Sequence, residues 1–572
     1  MTKEWHQPFE LKALELLDEA SSAAVPPDRV IPSRWILTDK YAGLDPELVK
    51  RDQLKQGVSP DAICYSKPKA RWVAGGHRDP DIGDDKASPR TDAPTADLLG
   101  QHLVMFLAAS HRWPLLSSDV SNAFLRGQPV DRNLYIRLPK PLPPALLGKV
   151  NPNQLCRLRK GMYGLTEAPR LWFIEYQQKL LAIGFKRCYL LPAVFTFFQN
   201  GQLVAAIALH VDDGIMTGCP KLAAPIFAKM KETFEYGTWD EDNFRFTGRQ
   251  ITRGPDFSVI ISMHEYINEL EEIDIPLARK NGNRNLAVTE RERSVLRGKL
   301  GELGWLARMS QPTLCFGVSR LQQRQVEATV QDLVDANILV RKAKQEALTV
   351  TIPSIPMQDL VIVAVSDASH ATMRGLGSQA GWLTILADGA IRKQEAPATV
   401  VGWSSHKLRR VVRSTIAAET MGLSTAVEHA EFTRAALLEL TDPSFTLKHW
   451  QEHVHKISVL WIIDAKSSYD HLTKDSGLPD DKRLAIDVAA LRQQREQTGS
   501  EIYWLPGPQM PCDVLTKFDR ANDAILQLLA GTWSLKEQPD VKAKRDKESS
   551  KRRERKAAAK EVKHVSFVFT DE

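Results

Sequence analysis

The sequence predicts an α+β multidomain protein. Three observations predict it: a length of 572 residues, two regions in which short apolar β-like runs alternate with helical segments, and a long helical stretch between them. At roughly 100 to 200 residues per domain such a chain divides into three or four units, and 43% hydrophobic residues suffice for several cores.

The elements follow in order. Residues 1–29 read as a helical extension, with "FELKALELLDEA" amphipathic, and "AVPPDRVIP" reads as a link. Residues 30–255 mix short strands with helices such as Pro169 to Leu181. Residues 256–355 are helical, from "YINELEEIDIPLARK" through "VQDLVDANILVRKAKQEAL". Residues 356–535 open on the strand "LVIVAVSDAS" and form the second α+β region. Residues 536–572 are a basic tail. Twelve Lys or Arg against six Asp or Glu in 536–563 supply an excess equal to the whole chain's net charge of +6. Such a segment is expected to be disordered or a solvated helix; "KRRERK" reads either as a solubilising run or as a nucleic-acid contact or nuclear address.

Composition excludes other classes. No apolar run has the length of a bilayer span, and "MTKEWHQPFELKALELLDEA" is too charged for a secretory signal. The six cysteines form no C-x-x-C pair, against a zinc ribbon or a disulfide framework. An intracellular protein is expected, cytoplasmic, nuclear or both, with no membrane partner.

The stretch "LVAAIALHVDDGIMTG" ends an apolar strand in adjacent carboxylates, Asp212 and Asp213, followed by glycine. One reading makes Asp213-Gly214 a left-handed hairpin turn with Asp212 solvated beside it. The other makes the pair a metal site, because like charges held close repel unless a cation lies between them. A third carboxylate comes from "WPLLSSDVSNAFLRG", where a strand delivers Asp119. Asp119, Asp212 and Asp213 together form a ligand set for two Mg²⁺ ions, with Mn²⁺ the alternative. Such ions lower the pKa of an attacking 3′-hydroxyl and neutralise a leaving pyrophosphate.

The ordered segments "IPSRWILTDKY", "KPKARWVAGGHRDP", "LLSSDVSNAFLRG", "LCRLRKGMYGLTEAPRLWF", "IALHVDDGIMTG" and "FRFTGRQI" resemble the reverse transcriptase of copia-type long-terminal-repeat retrotransposons, over about residues 30–330. The resemblance implies a right-hand polymerase, with fingers and palm in 30–255 and thumb plus connection in 256–355. It implies that Asp119, Asp212 and Asp213 are the palm's metal ligands and that Phe124 is a steric gate against a ribose 2′-hydroxyl. Lys69 and Arg71 would contact the incoming triphosphate. By themselves, Phe124 reads as a core aromatic and the two cations as surface charges. Two positions depart from the family: His210 stands where a tyrosine is usual, and Glu167 where glutamine is frequent. A carboxylate near the triphosphate is unfavourable unless it points away or pairs with Arg170.

The second α+β region carries four more acids: Asp367 ends "LVIVAVSD", Glu419 lies in the helical "STIAAETMGLSTAVEHAEF", Asp464 ends "ISVLWIID", and Asp513 lies in "QMPCDVLTK". Each alone reads as a cap or a solvated strand end. In the order Asp, Glu, Asp, Asp, with "SDAS", "VGWSSHKLRRVVRSTIAAET" and "CDVLTK", they resemble the ribonuclease H domain of the same retrotransposon family, over about 358–530. That resemblance implies that the four acids hold two Mg²⁺ ions and activate water against an RNA phosphodiester. The histidine such domains often carry near the last acid is absent from "DDKRLAIDVAALRQQ".

The implied partners are an RNA template, a DNA primer, RNA/DNA hybrid and dNTPs, with an integrase or capsid protein of the same element as further candidates. Binding should be governed by the backbone, steeply salt-dependent and read by shape. The chain reads as the downstream part of a Pol polyprotein, since no zinc-knuckle, aspartic protease or integrase motif is seen. Two rivals stand beside this reading. One is an inactive or domesticated retroelement-derived protein that binds RNA/DNA without catalysis, and the other a polymerase of the intron-maturase or telomerase kind, disfavoured by the ribonuclease H-like region.

Overall fold

A computed structural model describes residues 1–536 apart from 40, 42–45, 56–57, 84–87, 475–476 and 519–522. The basic tail expected over 536–572 lies, beyond Lys536, outside the described residues.

The first difference from the sequence reading is at the N-terminus. A helix spans Thr2–Glu10, but "FELKALELLDEA" does not continue it: Lys12 takes φ 54°, and Leu14–Leu16 is a strand paired with Leu155–Leu158. Tertiary pairing overrides the helical periodicity because Ala13 and Leu14 are buried against Leu158 and Ile136 in a small core. In that core Trp5 stacks on Trp72 with ring centroids 5.0 Å apart.

Strands β1 (Ser33–Asp39) and β2 (Pro68–Ala74) form an antiparallel pair. Helix α1 (Leu98–His111) follows, N-capped by the Asp97 carboxylate, which accepts from Gly100 N at 2.7 Å. It is buried on nearly all sides, polar Gln101 and His102 included, and Leu103 to Ala109 are fully buried. Next come β3 (Leu115–Val120), α2 (Ala168–Ile183), β4 (Val194–Gln199), β5 (Gln202–His210), β6 (Asp213–Gly218), α3 (Pro220–Thr233) and β7 (Tyr236–Glu241). The sheet order is β7-β3-β6-β5-β4, extended by a short strand at Lys186–Arg187, and every pairing is antiparallel. Its central strands, with Val204 to Leu209 nearly inaccessible, read as a continuous apolar run because both faces are covered.

A second antiparallel sheet joins Asn243–Phe246, Arg249–Arg253, Val259–Ser262 and Val350–Ile352, so its ladder runs across residue 255. Between its last two strands lie α4 (Glu290–Met309), opened by a Thr289/Glu292 capping box, α5 (Cys315–Gln322) and α6 (Val330–Glu346), packed on their own core of leucines and valines.

The remaining residues build a mixed sheet from β8 (Leu360–Met373), β9 (Gly377–Asp388), β10 (Ala396–Lys407), β11 (Ser458–Ile463) and β12 (Glu501–Trp504), with α7 (Thr415–Thr441) against it. The order is β12-β11-β8-β9-β10, continued by a two-residue strand at Thr532–Trp533; β8, β9 and β10 are antiparallel, and β11 and β12 run parallel to β8. This sheet shares one continuous apolar core with the first. Helix α1 is the bridge: buried His102 lies with Nδ1 3.0 Å from the Val401 carbonyl on β10. Burial drives the His102 pKa down to about 3 and keeps the ring neutral. The Glu439 carboxylate on α7 accepts from Tyr189 N and Leu190 N. No helix among the described residues is long and apolar enough to cross a membrane, and all six cysteines are free.

Two candidate metal centres and their surroundings

The β5–β6 hairpin closes through Val211 and Asp212, with His210 paired to Asp213. The turn is therefore not Asp213-Gly214: Val211 carries the positive φ, at 62°, and Asp213-Gly214 already lies in β6. A β-branched residue there is strained. The loop is held from outside, since Trp172 Nε1 donates to the Val211 carbonyl at 2.8 Å and Val120 N to the Asp212 carbonyl at 3.2 Å. Gly214 serves for its lack of a side chain, because a Cβ would sit 3.1 Å from Ser118 Oγ on β3.

The register sets Asp213 opposite Asp119. Asp119, Asp212 and Asp213, all half-buried, each offer a carboxylate oxygen within 4.8 Å of the others. Burial, then the charges of Asp212 and Asp119, pushes Asp213 up to about 6. Three acids so placed have the chemistry of a hard-cation site. Burial pulls the His210 pKa down, so a neutral imidazole stands beside them.

Phe124 follows Asn122, whose φ is 56°, in the 3-10 turn Ala123–Arg126. Its ring meets Tyr163 edge-on at 5.3 Å, and the Arg71 guanidinium lies over the same Tyr163 ring at 5.6 Å. Lys69 and Arg71, two residues apart on β2, share one face. The backbone fixes this arrangement: Ala74 N donates to the Tyr163 carbonyl at 2.8 Å and Gly76 N to the Gly164 carbonyl at 3.2 Å. Gly164 takes φ +86°, and a Cβ would fall 2.2 Å from the Ala74 carbonyl oxygen. Tyr163 is thus a site neighbour that sequence reasoning did not single out, although it lies in the quoted "YGLTEAPR". Burial, then the charge of Asp212, raises its phenol pKa.

Glu167 does not pair with Arg170, which binds Asp92 at 2.9 Å. Its carboxylate is buried on Arg132, with Nη2 to Oε2 at 2.9 Å. Arg132 also engages Asp79 and, at 2.7 Å, Asp81, to which Arg29 is bound at 2.6 Å. Burial raises the Glu167 pKa although Arg132 opposes it. The departure at 167 is thereby an internal ion pair tying the segment before α2 to the turn after β2.

In the second region Asp367 lies on β8, Asp464 just past the end of the adjacent parallel strand β11, and Glu419 in the second turn of α7. Their oxygens also fall within 4.8 Å of one another. Burial, then Asp367 and Asp464, pushes Glu419 up to about 9; burial, then Asp367 and Asp513, pushes Asp464 up to about 7. Glu419 is 6% exposed, and its Oε2 has no hydrogen-bond partner. An orphaned buried carboxylate oxygen facing two further acids fits a missing cation. Asp513, in the short turn Pro511–Leu515, is not in this convergent trio; its Oδ1 lies 2.7 Å from Lys517 Nζ. Thr516 Oγ1 donates to Asp367 Oδ2. Lys517 and Thr516 are neighbours that the sequence reading did not assign, though "CDVLTK" contains both.

Residues 55–281 match the family described as reverse transcriptase (RNA-dependent DNA polymerase). The chain is 28% identical over 439 residues to the retrovirus-related Pol polyprotein from transposon RE1 of Arabidopsis thaliana, covering 73% of this chain and 26% of that protein. It is 26% identical over 436 residues to the RE2 polyprotein of the same plant, covering 72% and 26%. It thus spans about a quarter of the length of these relatives. The putative transposon Ty5-1 protein YCL074W of Saccharomyces cerevisiae is 25% identical over 306 residues, which cover 51% of this chain and 94% of that protein. Among solved structures, the foamy viral protease-reverse transcriptase dRH in complex with double-stranded DNA has a TM-score of 0.46 at 13% identity, covering 82% of this chain and 70% of that one. The foamy viral protease-reverse transcriptase with RNA/DNA hybrid has 0.41 at 14%, covering 77% and 50%. Residues 55–281 thus match the reverse transcriptase family, and the chain is similar to part of the Pol polyproteins of the transposons RE1 and RE2.

Proposed function

We propose that the chain is an RNA-directed DNA polymerase with a linked ribonuclease H activity. The polymerase reading is carried by the convergence of Asp119, Asp212 and Asp213 in the middle of an antiparallel sheet within the reverse transcriptase match. The nuclease reading is supported by the convergence of Asp367, Glu419 and Asp464 where β8, β11 and α7 meet. In this reading residues 30–255 are fingers and palm, 256–355 thumb and connection, and 356–535 the nuclease.

Two magnesium ions held by each acid set would supply the charge that activates an attacking oxygen and neutralises the leaving group. The chain's own residues do the rest. The strained Val211 turn holds Asp212 and Asp213 toward Asp119. Phe124 meets Tyr163, whose phenol feels the charge of Asp212, and the pair would form an aromatic wall against which a deoxyribose fits and a 2′-hydroxyl is crowded. Lys69 and Arg71 on β2 present cations from the fingers side to a triphosphate. Glu167, bound by Arg132, is kept from repelling it.

Primer extension on poly(rA) with oligo(dT), Mg²⁺ and dTTP tests the first activity, with Asp212→Asn/Asp213→Asn as control. Cleavage of a labelled RNA/DNA hybrid, with Asp464→Asn, tests the second. Hybrid binding by folded wild-type protein with neither reaction would instead establish a binding protein without catalysis.

A further inference from the structure

The nuclease-like acids are not equivalent. On one side Asp367, Glu419 and Asp464 converge, with Glu419 Oε2 unpartnered. Toward Asp513 a cation is already present: Lys517 Nζ lies 2.7 Å from Asp513 Oδ1 and 3.6 Å from Asp367 Oδ2, and its charge acts more weakly on Glu419 and Asp464. The Lys517 side chain is 46% exposed, so its ammonium reaches in from solvent on a rotatable stem and can leave the same way. Leu515 on the same segment packs against Gly381 of β9, where a Cβ would fall 2.4 Å from the leucine Cβ, and this fixes the backbone from which Lys517 departs.

We propose that Lys517 is a resident counter-cation on the Asp367/Asp513 side, so that one divalent ion binds readily at Asp367, Glu419 and Asp464 while a second must displace the ammonium. The proposal rests on the nuclease reading. Two cations cannot share Asp367 and Asp513 at these distances without strong repulsion, so second-ion affinity carries the work of moving Lys517. The lysine then returns when the second ion departs, which keeps the acids compensated between cycles. This gives the site a charged group beside the last acid, Asp513.

The test is Mn²⁺ titration of the full chain, with free Mn²⁺ followed by electron paramagnetic resonance. Asp212→Asn/Asp213→Asn silences the polymerase acids throughout. Lys517→Met and Lys517→Gln are compared with Lys517 intact, and Asp464→Asn marks the first ion. The expected result is a first ion lost in Asp464→Asn and a second ion bound at least about tenfold more tightly in both Lys517 variants, the scale of removing a nearby cation at a partly exposed site. Unchanged second-ion affinity beside an Asp464-dependent first ion would overturn the role of Lys517 and leave the nuclease reading standing. No Asp464-dependent ion in any form would remove the nuclease reading and this proposal together.

Discussion

Asp213 stands directly opposite Asp119 across the antiparallel pair β3–β6. Two carboxylates in one cross-strand pair oppose folding of the metal-free chain, because like charges directly opposite destabilise a sheet. The same register brings both acids to Asp212. Stability and function therefore pull in opposite directions at this position.

Asp213→Asn is accordingly expected to stabilise the metal-free protein by up to about 1 kcal/mol while removing DNA synthesis. Thermal melts in chelator beside primer extension measure both. A variant that melts lower than wild type in chelator would contradict the repulsion argument.

The stability that the raised acids lend the metal-free chain should fall as pH rises. Folded-state pKa values of about 6 for Asp213, 7 for Asp464 and 9 for Glu419 lie above the unfolded values near about 4. An acid raised in this way contributes stability that is fully present below its unfolded pKa and lost as pH rises through the folded one. Buried His102, at about 3, works in the opposite sense below about pH 6.5, so melting temperature in chelator should decline between about pH 6.5 and 9, and the increment from Mg²⁺ should grow over the same range. An increment independent of pH would show that the ion does not bind at these acids.

Phe124→Ala should relax sugar discrimination. With the ring removed from its edge contact on Tyr163, ribonucleotide incorporation relative to deoxynucleotide should rise by about tenfold or more, about 1.4 kcal/mol of lost discrimination. Single-nucleotide extension with dTTP and UTP reads the ratio. An unchanged ratio would reduce Phe124 to a packing residue.

Arg132→Leu should be among the most damaging substitutions outside the acid clusters. It leaves Asp79, Asp81 and Glu167 buried together without their shared cation, Arg29 remaining on Asp81, a loss of about 3 to 5 kcal/mol for breaking a buried ionic group. Glu167→Gln removes one charge from an excess of carboxylates and should cost far less. Denaturant melts of the two variants compare them; equal losses would mean that the network contributes no net stability.

The sequence by itself determined the resemblance to reverse transcriptases and the motifs that carry the acids, because a strand ending in carboxylates leaves a local pattern. The strands "LVIVAVSD" and "ISVLWIID" and helical segments over Pro169 to Leu181 and in "STIAAETMGLSTAVEHAEF" were legible too, because their patterns are short-range, although the second helix runs on to Thr441. Tertiary structure alone decided the rest. The left-handed residue of the hairpin is Val211 rather than glycine, because Trp172, 39 residues earlier, secures its carbonyl. "FELKALELLDEA" yields a strand, because Leu14 finds Leu158 across the chain. Helix α1, buried over nearly its whole length, carries little helical alternation to read, since it is enclosed between two sheets. The ion pairs of Glu167 with Arg132 and of Lys517 with Asp513 and Asp367 depend on distances in space, and charge in a sequence has no partner until the chain has folded.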